Sequence, residues 1–557
     1  MRRGRSWWSP TLSRVRGTIF LTLACWTVAL LIAMPLGALA VIAASGDLES
    51  LSHLSATVLP RSTLTTLLLL GGIAALTGSM GAICAWLVSF YSFPGRNIYA
   101  WALMLPLAVP TYISAYAFVE FFTFTGPVQT AFRNVFGFES ARDYWFPDIR
   151  SLPGAVLVLS FVLYPYVFMS VRALFFVQGG RLIESARSMG AGPGRVFSRV
   201  LLPLARPAIA LGITIALMEA INDIGAVEFL GVQTLTMSVF SVWLNQDDIA
   251  GAAQIALLLL ILIFVLIGLE RLARRNRRFV ESRTSNARMP YRRIPLKGSM
   301  AALASAACLA PVALGFGVPI SVLGGYALRY AGDGLDPRLM EAFGASIWYA
   351  ALAAGLTVIL ALLLTFTVRV SSLRSTALIV RVASIGYAIP GTIIALGIFL
   401  PLARFDNLVD ALFRDWLDLS TGLLITGSGA TLVYAYAVRF MAVAEGSLDG
   451  GFKKLSPNLD MAARSLGRTR GQMFFQVFLP LLKPASATAA LLVFIDSLKE
   501  LSATIMLRPF GVETVATYVY DLASRGRIEQ AGTASIIIIV AGIVPVIVLA
   551  RTTLSER

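Results

Sequence analysis

Long runs of apolar residues recur along the whole chain and constrain its fold more than any other feature. A helix that crosses a bilayer needs about 20 mostly apolar residues. By that measure we place spans at 18–45, 62–90, 98–121, 152–178, 204–230, 249–272, 299–328, 343–369, 376–402, 420–444, 484–507 and 530–550. The sequence therefore predicts an all-α polytopic membrane protein with about 12 transmembrane helices.

The composition excludes a soluble fold and several kinds of site. Hydrophobic residues make up 57% of the chain and charged residues 14%, whereas soluble domains carry about 25% charged residues. His53 is the only histidine, and Cys25, Cys84 and Cys308 each lie inside an apolar run. These facts argue against haem, a histidine-based zinc site, a catalytic triad and disulfides. We therefore expect no cofactor and no tightly bound metal.

The charge distribution predicts the orientation in the membrane. The chain has 46 Lys and Arg residues against 30 Asp and Glu, a net charge of +16. In a membrane protein such an excess follows from the positive-inside rule, and nucleic acid is not an expected partner. The basic segments are the N-terminus, 181–203, 271–298 and 452–483, and they alternate with acidic or mixed loops. Both termini are therefore predicted to be cytoplasmic.

The chain contains an internal duplication. The segments 184–209 and 461–486 align at an offset of 277 residues, and 12 of their 26 positions are identical. The offset is half the chain length, so we predict a first repeat at 1–270, a basic cytoplasmic linker at 271–298 and a second repeat at 299–557. An even number of spans in each unit keeps both copies in the same orientation, which makes them parallel repeats.

The duplicated segment has the pattern of a docking surface. In each copy a short amphipathic helix is followed by a glycine-containing turn, a second apolar stripe and a proline that opens the next span. A helix–turn–helix that lies flat on the cytoplasmic face offers an apolar ridge to a soluble partner. A connector that merely rests on lipid is the alternative. Conservation of two copies within one chain favours the shared partner surface.

These loops resemble the EAA loops of ABC-importer permeases. The first copy lies near 181–203 and the second near 458–480, and Met461 stands where the pattern usually has Glu. The resemblance implies the type I ABC importer permease fold and contact between the loops and an ATPase. The positions that match the motif are Glu184, Ala186, Gly190 and Pro203 in the first copy, and Met461, Ala463, Gly467 and Pro480 in the second.

Two further segments, 218–240 and 496–524, look like those of fused two-domain permeases of bacterial ferric-iron importers. The resemblance implies a bacterial inner-membrane protein that receives iron from a periplasmic solute-binding protein. It also implies two copies of a separate cytoplasmic ATPase. Nothing in this sequence fits the phosphate-binding pattern G-x-x-x-x-G-K-[ST], so ATP hydrolysis is expected on another polypeptide.

Acidic residues lie inside the predicted fifth and eleventh spans, where each costs about 2.5–3.5 kcal/mol on insertion scales. Glu219 matches Asp496 and Asp223 matches Glu500 at the offset of 277. The i, i+4 spacing predicts that each pair shares one helix face. Glu228 follows in the first repeat. These five acids are candidates for the translocation path of a hard cation, and the alternative is that they pair internally and hold the bundle together.

Other functions compete with iron import. Permeases for thiamine, phosphonate, sulfate and polyamine share the loop pattern. A proton-coupled secondary transporter has the same six-plus-six span count but leaves the paired loops unexplained. A polytopic membrane enzyme would need a metal cluster, a nucleophile elbow or a histidine-based site, and the sequence shows none of them.

Overall fold

The computed structural model describes residues 9–46, 48–176, 180–275, 293–330, 332, 336–371, 379–380, 382–456 and 458–554. Most of the predicted linker, residues 276–292, lies outside this part. Within it the chain is almost entirely helical, and the regular strands are β1 (Tyr91–Ser92) and β2 (Ile294–Pro295), which pair in parallel. This agrees with the predicted all-α class.

The described residues of the first half form thirteen α-helices, and those of the second half eleven more. The first set is α1 (Ser9–Ala44), α2 (Leu48–Thr57), α3 (Leu59–Phe90), α4 (Arg96–Ala102), α5 (Thr111–Phe122), α6 (Pro127–Phe136), α7 (Leu152–Leu174), α8 (Gly180–Ser188), α9 (Pro193–Val196), α10 (Leu202–Asn222), α11 (Gly225–Phe229), α12 (Leu235–Gln246) and α13 (Ile249–Arg275). The second set is α14 (Gly298–Val312), α15 (Val318–Arg329), α16 (Pro337–Val370), α17 (Gly391–Leu417), α18 (Ala430–Lys453), α19 (Asn458–Ser465), α20 (Arg470–Met473), α21 (Leu479–Leu498), α22 (Ser502–Leu507), α23 (Val515–Ser524) and α24 (Gly532–Leu554). Short 3-10 helices lie at Leu105–Ala108 and Ser384–Ala388, and π-helical turns at Phe197–Leu201, Ala313–Gly317 and Phe474–Phe478.

In the described part of the chain, nine helices are long and apolar enough to cross a membrane, and a pair of helices bent by 97° makes a tenth if it is counted as one span. The bent span is the one expected at 98–121, and its break falls at Pro110 because proline cannot continue the hydrogen bonding of the preceding helix. Two of the expected twelve spans are missing from this count. The span at 420–444 falls in α18, whose apolar stretch carries Arg439 and Glu445, and the span at 530–550 has a described apolar stretch of only Gly532–Val548.

The described residues divide into two compact units that do not follow the order of the sequence. One unit contains residues 1–45 and 340–514, and the other contains 46–339 and 515–557. The first helix of the chain therefore belongs with most of the second repeat. Likewise α14, α15 and α24 belong with most of the first repeat. The boundaries predicted at 270 and 299 describe the sequence duplication, and the packing divides the chain elsewhere.

In the unit of residues 1–45 and 340–514, α1 packs against α17 at backbone distance. A Cβ atom on Gly397 would lie 2.2 Å from the Pro35 carbonyl oxygen. The hydroxyl of Tyr434 also donates to the carbonyl of Leu31. Close approach through small residues is how helices associate in lipid, where apolar contact alone gives no preference over the lipid tails.

In the unit of residues 46–339 and 515–557, α3, α7 and α10 form a tight core. A Cβ atom on Gly212 would lie 2.5 Å from the Val167 Cα atom, and one on Gly81 would lie 2.6 Å from the Val167 side chain. The helix α24 packs against this unit in the same way. A Cβ atom on Gly542 would lie 2.3 Å from the Ala108 carbonyl oxygen. Glycine at these crossings permits the packing.

Candidate functional site

The two repeated loops have the same backbone conformation. In the first, Gly190 lies two residues beyond the end of α8 and has a φ of +79°, and in the second Gly467 lies two residues beyond the end of α19 and has a φ of +74°. The N–H of Ala191 donates to the Ala186 carbonyl at 3.0 Å, and the N–H of Arg468 donates to the Ala463 carbonyl at 3.1 Å. This bond and the left-handed glycine are the marks of a Schellman C-cap.

The equivalence continues into the long helices that follow. The π-helical turns Phe197–Leu201 and Phe474–Phe478 occupy matching positions at the offset of 277. Pro203 and Pro480 lie in the first turn of α10 and α21, directly after these π-helical turns. The sequence repeat is therefore also a repeat of local structure.

Burial separates the inward from the outward residues of these loops. Ala186 and Ala463 are both buried. Glu184 is exposed, and the Met461 side chain at the matching position is 61% exposed. Apart from the chain neighbours, no described atom lies within 4 Å of a Cβ built on Gly190 or on Gly467. Glu184 in the first loop and Met461 in the second thus point outward, and only Glu184 carries a charge.

The loops differ in how they are anchored, which the sequence analysis did not anticipate. Ile183 is 3% exposed and belongs to the hydrophobic core of its unit. Asp460 takes the matching position and forms an ion pair with Arg369 at 2.9 Å. A second nitrogen of Arg369 donates to the Ser456 carbonyl at 3.2 Å. The sequence does hold a sign of this difference, because the charged Asp460 aligns with the apolar Ile183 at the offset of 277.

Asp223 and Glu500 play one structural role in the two repeats. An oxygen of Asp223 accepts the N–H of Ala226 at 2.9 Å, and an oxygen of Glu500 accepts the N–H of Ala503 at 3.0 Å. Both acids are buried. They satisfy backbone donors at the start of the short helices α11 and α22, which otherwise lack partners.

The helices end before these acids, which corrects the predicted geometry. The sequence predicts continuous spans at 204–230 and 484–507, but α10 ends at Asn222 and α21 ends at Leu498. That each pair of acids shares one face therefore stays a prediction, because the rule for residues four apart holds within an unbroken helix. The physical reason is that each carboxylate bonds to the backbone three residues on, which stabilises a break in place of another helical turn.

The other three predicted acids also have partners or partial cover. Asp496 pairs with Lys499 at 2.9 Å, Glu228 accepts the hydroxyl of Tyr520 at 2.7 Å, and Glu219 is half-buried. Glu219 and Glu228 belong to the unit of residues 46–339 and 515–557, and Asp496 belongs to the other unit. Facing of the two sets across an axis stays a prediction.

Comparison with known proteins identifies the family. Residues 77–278 match the family described as the binding-protein-dependent transport system inner membrane component. The chain is 24% identical to the Fe(3+)-transport system permease protein FbpB 2 of Haemophilus influenzae over 479 residues, which cover 85% of this chain and 86% of that protein.

Two further relatives match about a third of the chain. One carries the name 2-aminoethylphosphonate transport system permease protein PhnU, from Salmonella paratyphi A, and is 30% identical over 35% of this chain and 67% of its own length. The other is named as a sulfate transport system permease protein cysT, from Chlorokybus atmophyticus, and is 29% identical over 37% of this chain and 71% of its own length. The family match, these relatives and the apolar helices together show that the chain belongs to the binding-protein-dependent transport system inner membrane components, as a multi-pass permease of the ABC type.

Proposed function

We propose that this permease moves ferric iron, delivered by a periplasmic binding protein, across the inner membrane in an ATP-driven importer. The supporting observation is the extent of similarity. The iron-transport relative aligns over 85% of the chain, whereas the phosphonate and sulfate relatives align over 35% and 37%. A relative that matches both repeats shares the duplicated architecture as well as one permease unit.

In this proposal the two repeated loops dock a cytoplasmic ATPase, one copy to each loop. Their matching Schellman turns and buried alanines support a shared partner surface. The docking residues are Glu184, Ala186, Gly190 and Pro203, with Met461, Ala463, Gly467 and Pro480. The loops and both termini are placed in the cytoplasm, in line with the positive-inside rule.

The five acids are proposed to have two different roles in the translocation path. Asp223 and Glu500 hold the breaks between α10 and α11 and between α21 and α22. Glu219, Glu228 and Asp496 are less buried and are proposed to face the cargo during passage. Such residues must release the cation as readily as they accept it, since conduction requires weak binding.

The test is uptake by the purified permease, reconstituted in vesicles with its ATPase and its binding protein. We expect uptake of radioactive iron that requires ATP and the binding protein, and ATP hydrolysis that rises when the iron-loaded binding protein is added. The same vesicles are assayed with 2-aminoethylphosphonate and sulfate, for which relatives supply the alternatives. Stimulation by either of these anions without stimulation by iron would transfer the assignment to that substrate.

A further inference from the structure

A cavity of about 520 Å³ lies within the unit of residues 46–339 and 515–557. Glycines and apolar side chains form part of its wall. Its polar lining comes from Tyr116, Glu120, Arg150, Glu228, Tyr520 and Ser524. These residues come from four separate stretches of the chain, so the fold assembles the polar lining.

The cavity lies at the end of the unit opposite the first repeated loop. Arg150 precedes α7 by two residues, and α7 leads to that loop at its other end. Its 23 residues span about 35 Å at 1.5 Å per residue. Glu120 likewise lies near the C-terminal end of α5, which ends at Phe122. With the repeated loop in the cytoplasm, the cavity lies on the periplasmic side.

Two carboxylates in the lining are each held by a phenol. The hydroxyl of Tyr326 donates to Glu120 at 2.9 Å, and that of Tyr520 donates to Glu228 at 2.7 Å. A carboxylate has about four acceptor positions, so one donated bond orients it and leaves the others for a ligand. Tyr326 does not line the cavity and acts as a positioning residue for Glu120.

Tyr116 is the second observation that points to a ligand. Its side chain is 1% exposed. The centroid of its ring lies 5.9 Å from that of Tyr112 and 4.6 Å from that of Phe229. Its hydroxyl forms no hydrogen bond within the part of the chain that the structure describes, although it lines the cavity. The hydroxyl can therefore bond to a molecule that enters the cavity.

The charges set the sign and the strength of binding. Two carboxylates and the guanidinium of Arg150 line the cavity, which gives it one net negative charge. The guanidinium lies 4.8 Å from the Phe229 ring centroid, and no carboxylate pairs with it among the described residues. The cavity therefore attracts a cation, and Arg150 limits how tightly that cation is held.

We propose that this cavity is a binding site for a hard multivalent cation, with Glu120, Glu228, Tyr116 and Tyr520 as oxygen ligands. Its identity as ferric iron rests on the proposed function. Hard cations prefer carboxylate and other oxygen ligands. No three His, Cys, Asp or Glu side chains converge among the described residues, so the phenol oxygens must complete the set. A phenol that ligates the cation loses its proton to solvent.

The test uses the full-length permease in detergent with ferric nitrilotriacetate as the probe. Ligation by a tyrosine produces a phenolate-to-iron charge-transfer band in the visible spectrum. We expect this band in the unmodified protein, a weaker band per bound iron in Tyr116→Phe, and iron binding weakened at least tenfold in Glu228→Gln. Arg150→Gln should strengthen binding several-fold, an effect opposite to that of a merely structural residue.

Glu529→Gln is the matched control, since Glu529 also accepts a tyrosine hydroxyl, from Tyr330 at 3.0 Å, but does not line the cavity. Its binding and spectrum should equal those of the unmodified protein, and gel filtration checks that every variant is folded. Absence of the band from the unmodified protein, an unchanged band in Tyr116→Phe, or equal losses in Glu228→Gln and Glu529→Gln would overturn the proposal. Sulfate binding that depends on Arg150, without any iron band, would also overturn it.

Uptake by the reconstituted complex separates this site from the proposed function. Iron uptake that is unchanged in the Tyr116→Phe, Glu228→Gln double variant would refute the site and leave the iron importer standing. If the unmodified complex takes up no iron while its permease still shows the band, the importer assignment fails and the site stands.

Discussion

Valine in place of both Gly190 and Gly467 should uncouple the permease from its ATPase without preventing membrane insertion. Both glycines have φ near +75° and lie two residues beyond the ends of α8 and α19, the helices proposed to dock the ATPase. A side chain in this left-handed conformation costs roughly 1–2 kcal/mol per residue, and a β-branched one lies at the upper end of that range. Among the residues that the structure describes, nothing beyond the chain neighbours lies within 4 Å of the added Cβ in either loop, so the cost is one of backbone conformation and not of collision.

The conformational cost of each valine lowers the affinity of its loop for the ATPase. If the ATPase binds only the turn seen in the structure, each substitution weakens its loop by roughly 5- to 30-fold, since about 1.4 kcal/mol is a factor of ten. The assay is co-purification of the ATPase with the permease, together with ATP hydrolysis in vesicles. Abundance of the permease in the membrane should stay normal, because the turn lies outside the packed cores.

Matched controls isolate the backbone effect. Gly192 and Gly471 also have open space around them, but neither has a positive φ, so valine there should change docking little. Asparagine at Gly190 and Gly467 should retain most of the docking, because asparagine adopts the left-handed conformation more readily than other residues. Normal co-purification with the double valine variant, or equal losses in the Gly192 and Gly471 controls, would refute the reasoning.

Three further predictions follow from the contacts. Glu184→Ala should reduce transport-coupled ATP hydrolysis more than Met461→Ala, because Glu184 is the one charged side chain presented at this pair of positions; equal losses would contradict the predicted asymmetry. Glu219→Gln combined with Asp496→Asn should abolish iron uptake while the abundance of the permease stays normal. Asp223→Ala should lower the abundance, since removing a buried cap costs about 0.5–2 kcal/mol of stability. The measurement compares membrane yield with uptake, and a normal yield of Asp223→Ala would argue against its capping role. The thiol of Cys84 in α3 donates to the carbonyl of Ala307 in α14 at 3.7 Å, and Cys84 and Cys308 are buried in one hydrophobic cluster. Oxidation with copper phenanthroline should therefore link Cys84 to Cys308, so that the two halves stay joined on a denaturing gel after cleavage at a protease site inserted within 276–292. A Cys308→Ala variant is the control, and separation of the halves in the unmodified pair would contradict the placement of α14 beside α3.

The helical class and most of the spans could be predicted from the sequence because they depend on local composition. Runs such as 62–90 and 249–272 coincide closely with spans of the structure, Leu59–Phe90 and Ile249–Leu272. Such a stretch must satisfy its own backbone inside lipid, and the helix does so without any distant partner. The turns of the two repeated loops were also predictable, since Gly190 and Gly467 stop a helix by their own conformational freedom.

The roles of the acids were only partly predictable. The sequence placed Asp223 and Glu500 inside the apolar runs, which marked them as unusual. It gave no sign that each would turn back onto a backbone N–H and end its helix, as the bonds to Ala226 and Ala503 show. A carboxylate can bond to water, to a cation or to a backbone N–H, and the fold determines which of these lies within bonding distance.

Composition and the duplication follow from the sequence alone, and so does the predicted orientation, because apolar length, repeated residues and loop charge are properties of short stretches of chain. Only the tertiary structure decides that α1 packs with the second repeat and that α24 packs with the first. Only the tertiary structure, likewise, brings Tyr116, Arg150 and Tyr520 to one cavity. Close helix crossings such as Gly397 against Pro35 depend on surfaces that are hundreds of residues apart in the chain. The energy of such contacts comes from complementary shape, which no local pattern encodes.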